Sequence, residues 1–268
     1  MHEQMFHTIR SAIERRVTRD SRPADEITLF TADNTAEGVY KITGAGKNVN
    51  TGEWLPGGNT ILEASAFIPE EKLPDGYERT LYVDLGQRDG QLYVNGELYN
   101  GIDVNRHYIP LRDEWKGTTI TLRAVSRGDG NLGYLGTTIV DNDVRALLCT
   151  VNICLNFLAV DDTSRNRDNV CLDKKVSTAL DRALLSIDTD APDYIFHAQC
   201  RDAEATLRND LDAIDDGDVR GLVSLIGHTH IDVAWLWQLK DTVRKCGHPF
   251  YSMLRLMEKY PDFIFTCS

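Results

Sequence analysis

Leu222-Val223-Ser224-Leu225-Ile226-Gly227-His228-Thr229-His230-Ile231-Asp232-Val233-Ala234-Trp235-Leu236-Trp237 is the stretch on which the reading of this chain turns. Its first five residues form a nearly continuous apolar run of the kind buried on both faces of a parallel sheet. An apolar-rich stretch that reads as helix follows to Lys259, then Tyr260-Pro261-Asp262 and a second short apolar run, Phe263-Ile264-Phe265. Strand, helix and strand in that order predict a βαβ unit, the opening of an α/β domain. One such unit cannot cover both faces of a parallel sheet, so the sequence is expected to stop, at Ser268, inside an incomplete domain.

The chemistry is densest just after the first apolar run. In extended backbone alternate side chains share a face, so His228, His230 and Asp232 are expected to point the same way. Imidazole and carboxylate converging at the carboxyl end of a parallel strand lie where α/β enzymes bind ligands. Imidazole nitrogen and carboxylate oxygen together suit a borderline divalent metal such as zinc. Three ligands on five residues make an awkward tetrahedral set, so only two are expected to bind. Trp235 and Trp237 follow at once. An indole face stacks on a sugar ring, a role that Trp235 shares equally with core packing, whereas Trp237 reads as a packed residue.

Upstream the chain changes texture twice. Met5, Phe6, Ile9, Ile13 and Val17 recur at helical spacing, predicting an amphipathic helix that stops near Asp20-Ser21-Arg22-Pro23. From about Ile27 to about Ile139, short alternating runs are separated by glycine-rich turns. Leu62, Ala64, Ala66 and Ile68 share one strand face, as do Leu81, Val83 and Leu85, and again Ile120, Leu122 and Ala124. Thr119, Thr121 and Arg123 give the last of these a wet face. Val94-Asn95-Gly96-Glu97 is a hairpin signal, since a type I′ turn needs positive φ at both central residues. Repeated short strands with such turns predict a β-sandwich, jelly-roll-like. The aromatics Trp54, Tyr93, Tyr99 and Trp115 within it are read as packing residues before a sugar platform.

After about Asp143 a helical period returns in Val144, Leu147, Leu148, Val151, Leu155 and Leu158. It recurs in Val176, Leu180, Leu184 and Ile187, and a third time from Tyr194 to Ile214. The 162–167 run between them is read as a loop. Asp215-Asp216-Gly217-Asp218 lacks the ligand spacing and closing Glu of a calcium loop, and reads as a solvated turn. The predicted fold is therefore a multidomain α+β protein: an N-terminal helix (1–20), a β-sandwich (21–142), a helical linker (143–218) and the first βαβ unit of an α/β barrel-type domain (219–268).

Composition bounds the function. Among 268 residues, 29 Lys and Arg face 41 Asp and Glu, for a formal charge of -12. Such a chain repels phosphate backbones, which disfavours nucleic acid and anionic membrane as partners. No apolar run is long enough to span a bilayer. The N-terminus lacks a secretion-signal profile and no Asn-x-Ser/Thr sequon occurs, so a cytoplasmic location is expected. The six cysteines (149, 154, 171, 200, 246 and 267) form no Cys-x-x-Cys pair and read as scattered, mostly buried thiols.

The segment Gly227 to Trp237, running into Leu254-Arg255-Leu256-Met257-Glu258-Lys259-Tyr260-Pro261, resembles the start of the catalytic domain in α-mannosidases of glycoside hydrolase family 38. The likeness is specific over roughly the last fifty residues and looser upstream. There, bacterial- and fungal-type members carry a β-sandwich, which Gln91 to Glu97 and Gly101 to Asn105 resemble. The resemblance implies one divalent metal, zinc with cobalt as the alternative, held in part by His230 and Asp232, with no ligand role for His228. It implies that Trp235 lines the mannose subsite and that the substrate is an α-mannoside or an N-glycan-derived oligosaccharide. It implies retaining hydrolysis through two carboxylates. The family's nucleophile, its acid/base and its remaining metal ligands fall downstream of Ser268, so no catalytic residue is expected here and residues 1–268 alone are expected to be inactive. The family also admits homo-oligomers.

One departure stands out. Lys245-Cys246-Gly247-His248-Pro249-Phe250 occupies a place where relatives run straight through as helix. A proline in a helix interior costs about 3 kcal/mol, so either a kink near Gly247 or drift from a working sequence is expected. Two other readings compete with the mannosidase. One is a non-catalytic carbohydrate-binding module built on the sandwich. The other is an amidohydrolase-like metal-dependent hydrolase, which shares His-x-His after a first strand but not the Ala-Trp-Leu-Trp run.

Overall fold

The structure, a computed structural model, describes residues 2–86, 88–159, 169–214 and 224–268, with only the backbone described at 2–4 and 169–171. It is a mixed α/β protein. In chain order its elements open with α1 (His2–Arg15), β1 (Thr18–Pro23), β2 (Asp25–Ala36), β3 (Val39–Ile42), β4 (Lys47–Asn48) and β5 (Trp54–Leu55). Next come β6 (Asn59–Ile68), β7 (Tyr77–Asp84), β8 (Asp89–Val94), β9 (Glu97–Ile102), β10 (Tyr108–Pro110), β11 (Thr118–Arg127), β12 (Gly130–Asn131) and β13 (Tyr134–Asp141). The helices α2 (Asn142–Leu158), α3 (Asn169–Leu184) and α4 (Asp193–Asp212) follow, then β14 (Gly227–Thr229), α5 (Leu239–Lys259) and β15 (Phe265–Cys267).

These elements cluster into two compact units. One comprises Met1–Asp20, Leu73–Glu78 and Ile139–Leu222; the other comprises Ser21–Lys72, Arg79–Thr138 and Val223–Ser268.

The helical unit is built on apolar stripes. Phe6, Ile9, Ile13 and Val17 are buried, as are Val144, Leu147 and Val151 of α2 and Val176, Leu180 and Leu184 of α3. Each set follows the period that brings one helix face inward. The first helix ends at Arg15, earlier than its sequence suggests, because Thr18–Pro23 pairs as an edge strand, a place that tolerates Pro23 at its end. Asp141 caps α2: its Oδ1 accepts from the Val144 backbone N–H at 3.1 Å. The same carboxylate, fully buried, receives Arg19 Nη2 at 3.2 Å and His197 Nδ1 of α4 at 2.9 Å. His197 Nε2 faces Asp143 Oδ2 at 3.1 Å, and Tyr77 stacks on the imidazole with centroids 4.9 Å apart. The proposed 162–167 loop and the Asp215–Asp218 turn lie outside the described residues.

The second unit holds the antiparallel strands. One sheet has the order β3-β2-β6-β11-β8-β9, with β4 also on β2; another runs β1-β13-β7-β10. Inward residues of both pool into a single core: Leu62, Ala66 and Ile68 with Ile120, Leu122 and Ala124 from the first, and Leu81, Val83 and Ile109 from the second. Thr119 and Thr121 remain exposed, so the alternation in the sequence is the alternation of faces. The β8–β9 hairpin turns through Asn95 (φ 51°) and Gly96 (φ 85°), both in the left-handed region that a type I′ turn requires.

The last segment differs from its sequence reading in register. The paired strand is Gly227–Thr229, bonded in parallel to Phe265–Cys267, with Gly227 opposite Phe265. Ser224, Leu225 and Ile226 are exposed and unpaired among the described residues, while Leu222 and Val223 lie outside them. Apolarity alone does not make a strand; it needs a neighbour to bond, and the partner here begins only at Phe265.

Candidate metal and sugar site

Strand β14 delivers the histidines to the C-terminal end of the parallel pair, the end at which α/β proteins collect ligands. His228 Nε2 and His230 Nδ1 both reach the Ser268 hydroxyl, each at 3.2 Å. His230 Nε2 lies 3.3 Å from Asp232 Oδ1. Their side chains keep 62% and 48% of their surface in solvent, so this is an open, wet pair. Two atoms each about 2.0–2.1 Å from one tetrahedral zinc lie about 3.3–3.4 Å apart. The observed separation therefore suits two ligands of one ion as well as it suits a long hydrogen bond. Among the described residues no group of three His, Cys, Asp or Glu side chains is arranged to hold a metal.

Trp235 follows on an irregular segment between β14 and α5 and is 69% exposed. Its ring is propped edge-on by Trp237, with centroids 5.8 Å apart and planes at 83°. Trp237 is itself tethered, its indole N–H donating to Thr242 Oγ1 at 3.3 Å and Lys245 Nζ sitting 4.3 Å over its ring. Both tryptophans line a cleft of about 860 Å³ with Asp33, Asn34, Asn59 and Arg127 of the β region. His230 and Asp232 are not part of that lining.

What fixes this segment is α5, which packs on β8 and β9. Gly101 and Gly247 permit the close approach. A Cβ on Gly101 would fall 2.3 Å from the His248 carbonyl oxygen, and one on Gly247 would fall 2.1 Å from Gln91 Nε2. Polar links then lock the contact. Arg244, 1% exposed, donates to Asp89 Oδ2 at 2.8 Å; His248 Nε2 meets Asp103 Oδ2 at 3.0 Å; the Gly101 N–H donates to Ser252 Oγ at 3.1 Å. At the first turn Asp241 accepts from Asn34 Nδ2 at 2.9 Å and pairs with Arg127 at 3.5 Å.

These contacts set the local electrostatics. Burial raises the Asp103 carboxyl, but the His248 hydrogen bond, the Asn105 backbone N–H and the Arg106 charge outweigh it and hold the group at about 2. At Asp89 burial again works upward and Arg244 wins, leaving the carboxyl below its ordinary value. Tyr40, beside Arg244 and Asp241, is pushed up to about 12, chiefly by burial. The Gly247-His248-Pro249 departure thus has a structural role. α5 runs unbroken through Pro249, and the two residues before the proline are among those that dock it.

The other aromatics separate cleanly. Tyr99 and Trp115 are buried and meet edge to face at 4.8 Å; Tyr93 is half-buried; Trp54 alone of the four is exposed. Cys154 and Cys200 are buried, whereas Cys149 and Cys267 are exposed, and all are free; the side chain of Cys171 lies outside the described residues. Sequence reasoning missed the β-region wall of the cleft, since nothing in the local pattern of Asp33, Asn59 or Arg127 marks them as neighbours of Trp235. No described helix is long and apolar enough to cross a membrane.

Comparison with known proteins falls on this same segment. Residues 220–268 match the model of the glycosyl hydrolases family 38 N-terminal domain. Over 52 residues, 19% of this chain, the sequence is 50% identical to alpha-mannosidase 2C1 of Homo sapiens and 48% identical to that of Mus musculus. Over 43 residues, 16% of the chain, it is 44% identical to alpha-mannosidase G of Dictyostelium discoideum. The matches cover about 5% of the two mammalian proteins' length and 4% of the slime-mould protein's.

Proposed function

We propose, with residues 220–268 belonging to the N-terminal domain of family 38 glycosyl hydrolases, that this chain supplies the metal-gripping and sugar-stacking part of a retaining α-mannosidase acting on terminal α-mannosides. The observation that carries this reading is the pairing of His230 Nε2 with Asp232 Oδ1 at 3.3 Å inside the matched segment. The ion they would share is zinc, with cobalt as the alternative. When bound, it would act as a Lewis acid toward neighbouring hydroxyls of the sugar. Ligation through Nε2 requires the proton on Nδ1, and Ser268 Oγ, 3.2 Å away, is the acceptor that orients it. Trp235 presents its exposed face for the apolar side of a pyranose ring. On this reading β14, α5 and β15 are the first βαβ unit of a barrel-type domain.

Retaining hydrolysis needs two carboxyl groups about 5–5.5 Å apart across the scissile bond. In this proposal the pair is not drawn from residues 1–268, which bind but do not cleave. Two assays test it. Zinc titrated into the chain should bind one ion weakly, and His230→Ala or Asp232→Asn should abolish that binding. An aryl α-mannoside incubated with the chain and zinc or cobalt should show no turnover; metal-dependent turnover would overthrow the division of labour. The exposed indole in a polar cleft also favours a simpler second reading, a carbohydrate-binding module without catalysis, in which sugar binding persists after chelation. The family match leaves the amidohydrolase alternative without support.

A further inference from the structure

Two of the chain's six cysteines, Cys246 and Cys267, lie in the last segment and belong to neither the His230–Asp232 pair nor the lining of the cleft. Cys246 sits in the second turn of α5, half-buried, and Cys267 ends β15, exposed. Topology decides where their side chains go. β14 and β15 run parallel, so the helix that joins them runs antiparallel to both. Along α5, Cys246, Phe250 and Met253 stand at i, i+4 and i+7, which is one helix face, and Met253 is buried. Along β15, Phe265 and Cys267 are two residues apart and share a strand face.

One contact fixes the level at which these two faces meet. The rings of Phe250 and Phe265 lie edge to face, with centroids 6.4 Å apart and planes at 70°. From that contact, four residues toward the start of α5 lead to Cys246, an advance of about 6 Å. Two residues toward the end of β15 lead to Cys267, an advance of about 6.6 Å. Because helix and strand are antiparallel, both advances run the same way, and the two thiols arrive at one level of the contact. The parity of the sheet agrees. Phe265 lies opposite Gly227 and Cys267 opposite Thr229, whereas Thr266 lies opposite His228. Ser268, two residues past Thr266, turns with the histidines to the other face, and its hydroxyl reaches His228 and His230 at 3.2 Å each. Cys267 is therefore turned toward α5 and away from the histidines. Local electrostatics point the same way: burial first, and the neighbouring Cys267 thiol second, raise the Cys246 thiol above its ordinary value.

We infer that Cys246 and Cys267 are a redox pair, which a hydroperoxide such as hydrogen peroxide closes into an intrachain disulfide. The exposed Cys267 meets the oxidant first. Its sulfur, as thiolate, attacks one peroxide oxygen; the O–O bond breaks, a sulfenic acid forms, and the other oxygen leaves as water with the proton the thiol gave up. The Cys246 sulfur then attacks the Cys267 sulfur. The S–O bond breaks, the S–S bond forms, and a second water leaves with the Cys246 proton. Two thiols have lost two electrons, and one peroxide has been reduced to two waters. The closed form staples α5 to the end of β15, one residue before the Ser268 hydroxyl that faces both histidines. The inference is independent of whether the His230–Asp232 pair holds an ion.

The test uses the full 268-residue chain. Reduced protein is treated with hydrogen peroxide, its remaining thiols are alkylated, and the unreduced digest is mapped by mass spectrometry. A linked peptide joining Cys246 to Cys267 is expected, with two of the six thiols lost and both recovered on treatment with dithiothreitol. Cys246→Ser should leave Cys267 as a sulfenic acid that dimedone traps, and Cys267→Ser should leave Cys246 reduced at the same dose. Cys149→Ser, which removes another exposed thiol, should leave the linked peptide intact. The pair is overturned if Cys246 stays reduced in the wild-type chain while Cys267 passes on to sulfinic acid, or if Cys267 links instead to another cysteine or to a second chain. The wild-type map decides the outcome by itself, so a serine variant that folds poorly does not shield the inference.

Discussion

Asp103 shows how much a single carboxylate can hold together. It receives His248 from α5, the Asn105 N–H from its own loop and the Arg106 guanidinium. Because the folded group titrates at about 2, below its ordinary value of 3.8, the unfolded chain takes up the proton first as pH falls. The stability it contributes is complete above pH ~4 and is lost as pH drops toward 2. Acid unfolding followed by tyrosine fluorescence should therefore show the Asp103→Asn variant losing part of the wild-type dependence in that window. Asp141 is a second such residue: it caps α2 and faces Arg19 and His197 from a fully buried position. Asp141→Ala removes the cap and leaves Arg19 and His197 without their shared carboxylate, and should lower unfolding free energy by about 2–4 kcal/mol in a denaturant titration. At this scale the closeness of His230 and Asp232 was legible, because their spacing is local. Asn34 and Asp103 were not, because their importance comes from partners more than a hundred residues away.

Among the elements, α5 repays the closest look. Its sequence looks defective around Gly247-His248-Pro249, yet the glycine admits Gln91 and Leu98, and the histidine finds Asp103. Gly101 on β9 is the other half of that contact. Gly101→Ala would press a methyl group against the His248 carbonyl, which cannot step aside without moving the helix, and would crowd Ser252 Oγ out of its present rotamer. A loss of about 1–3 kcal/mol is expected by thermal or urea unfolding. Strand alternation and the Asn-Gly turn were readable because period and φ are properties of adjacent residues. The parallel pair was read several residues too early, since hydrophobicity marks what wants burial while hydrogen-bond register is set by the partner strand. Helix α1 was likewise read too long, its end being fixed by the pairing of Thr18–Pro23.

For the molecule as a whole, texture suggested four consecutive segments, whereas the chain clusters into two units, with Val223–Ser268 grouped with Ser21–Lys72 and Arg79–Thr138. The β-region wall of the cleft was invisible because Asp33, Asn59, Arg127 and Trp235 meet only in three dimensions. Whole-chain behaviour toward metal should follow from the openness of the His230–Asp232 pair. If the pair holds an ion as proposed, such a two-ligand, solvent-facing site would contribute little to folding, unlike a closed four-ligand zinc site. Chelator should leave the far-UV circular dichroism and the melting midpoint unchanged while abolishing zinc uptake; a marked drop in the midpoint would point to a structural ion.

The seating of α5 on β8 and β9 carries a practical lesson for anyone who cuts this gene. Scissors placed just before residue 219 look harmless on a map of motifs, yet they would strip the lid from Asp89, Gly101 and Asp103 and leave bare floor beneath. Whatever such a shortened piece then failed to do would speak of damage rather than of division of labour, so single-residue surgery at Cys246, Cys267 and Asp232 is the cleaner instrument.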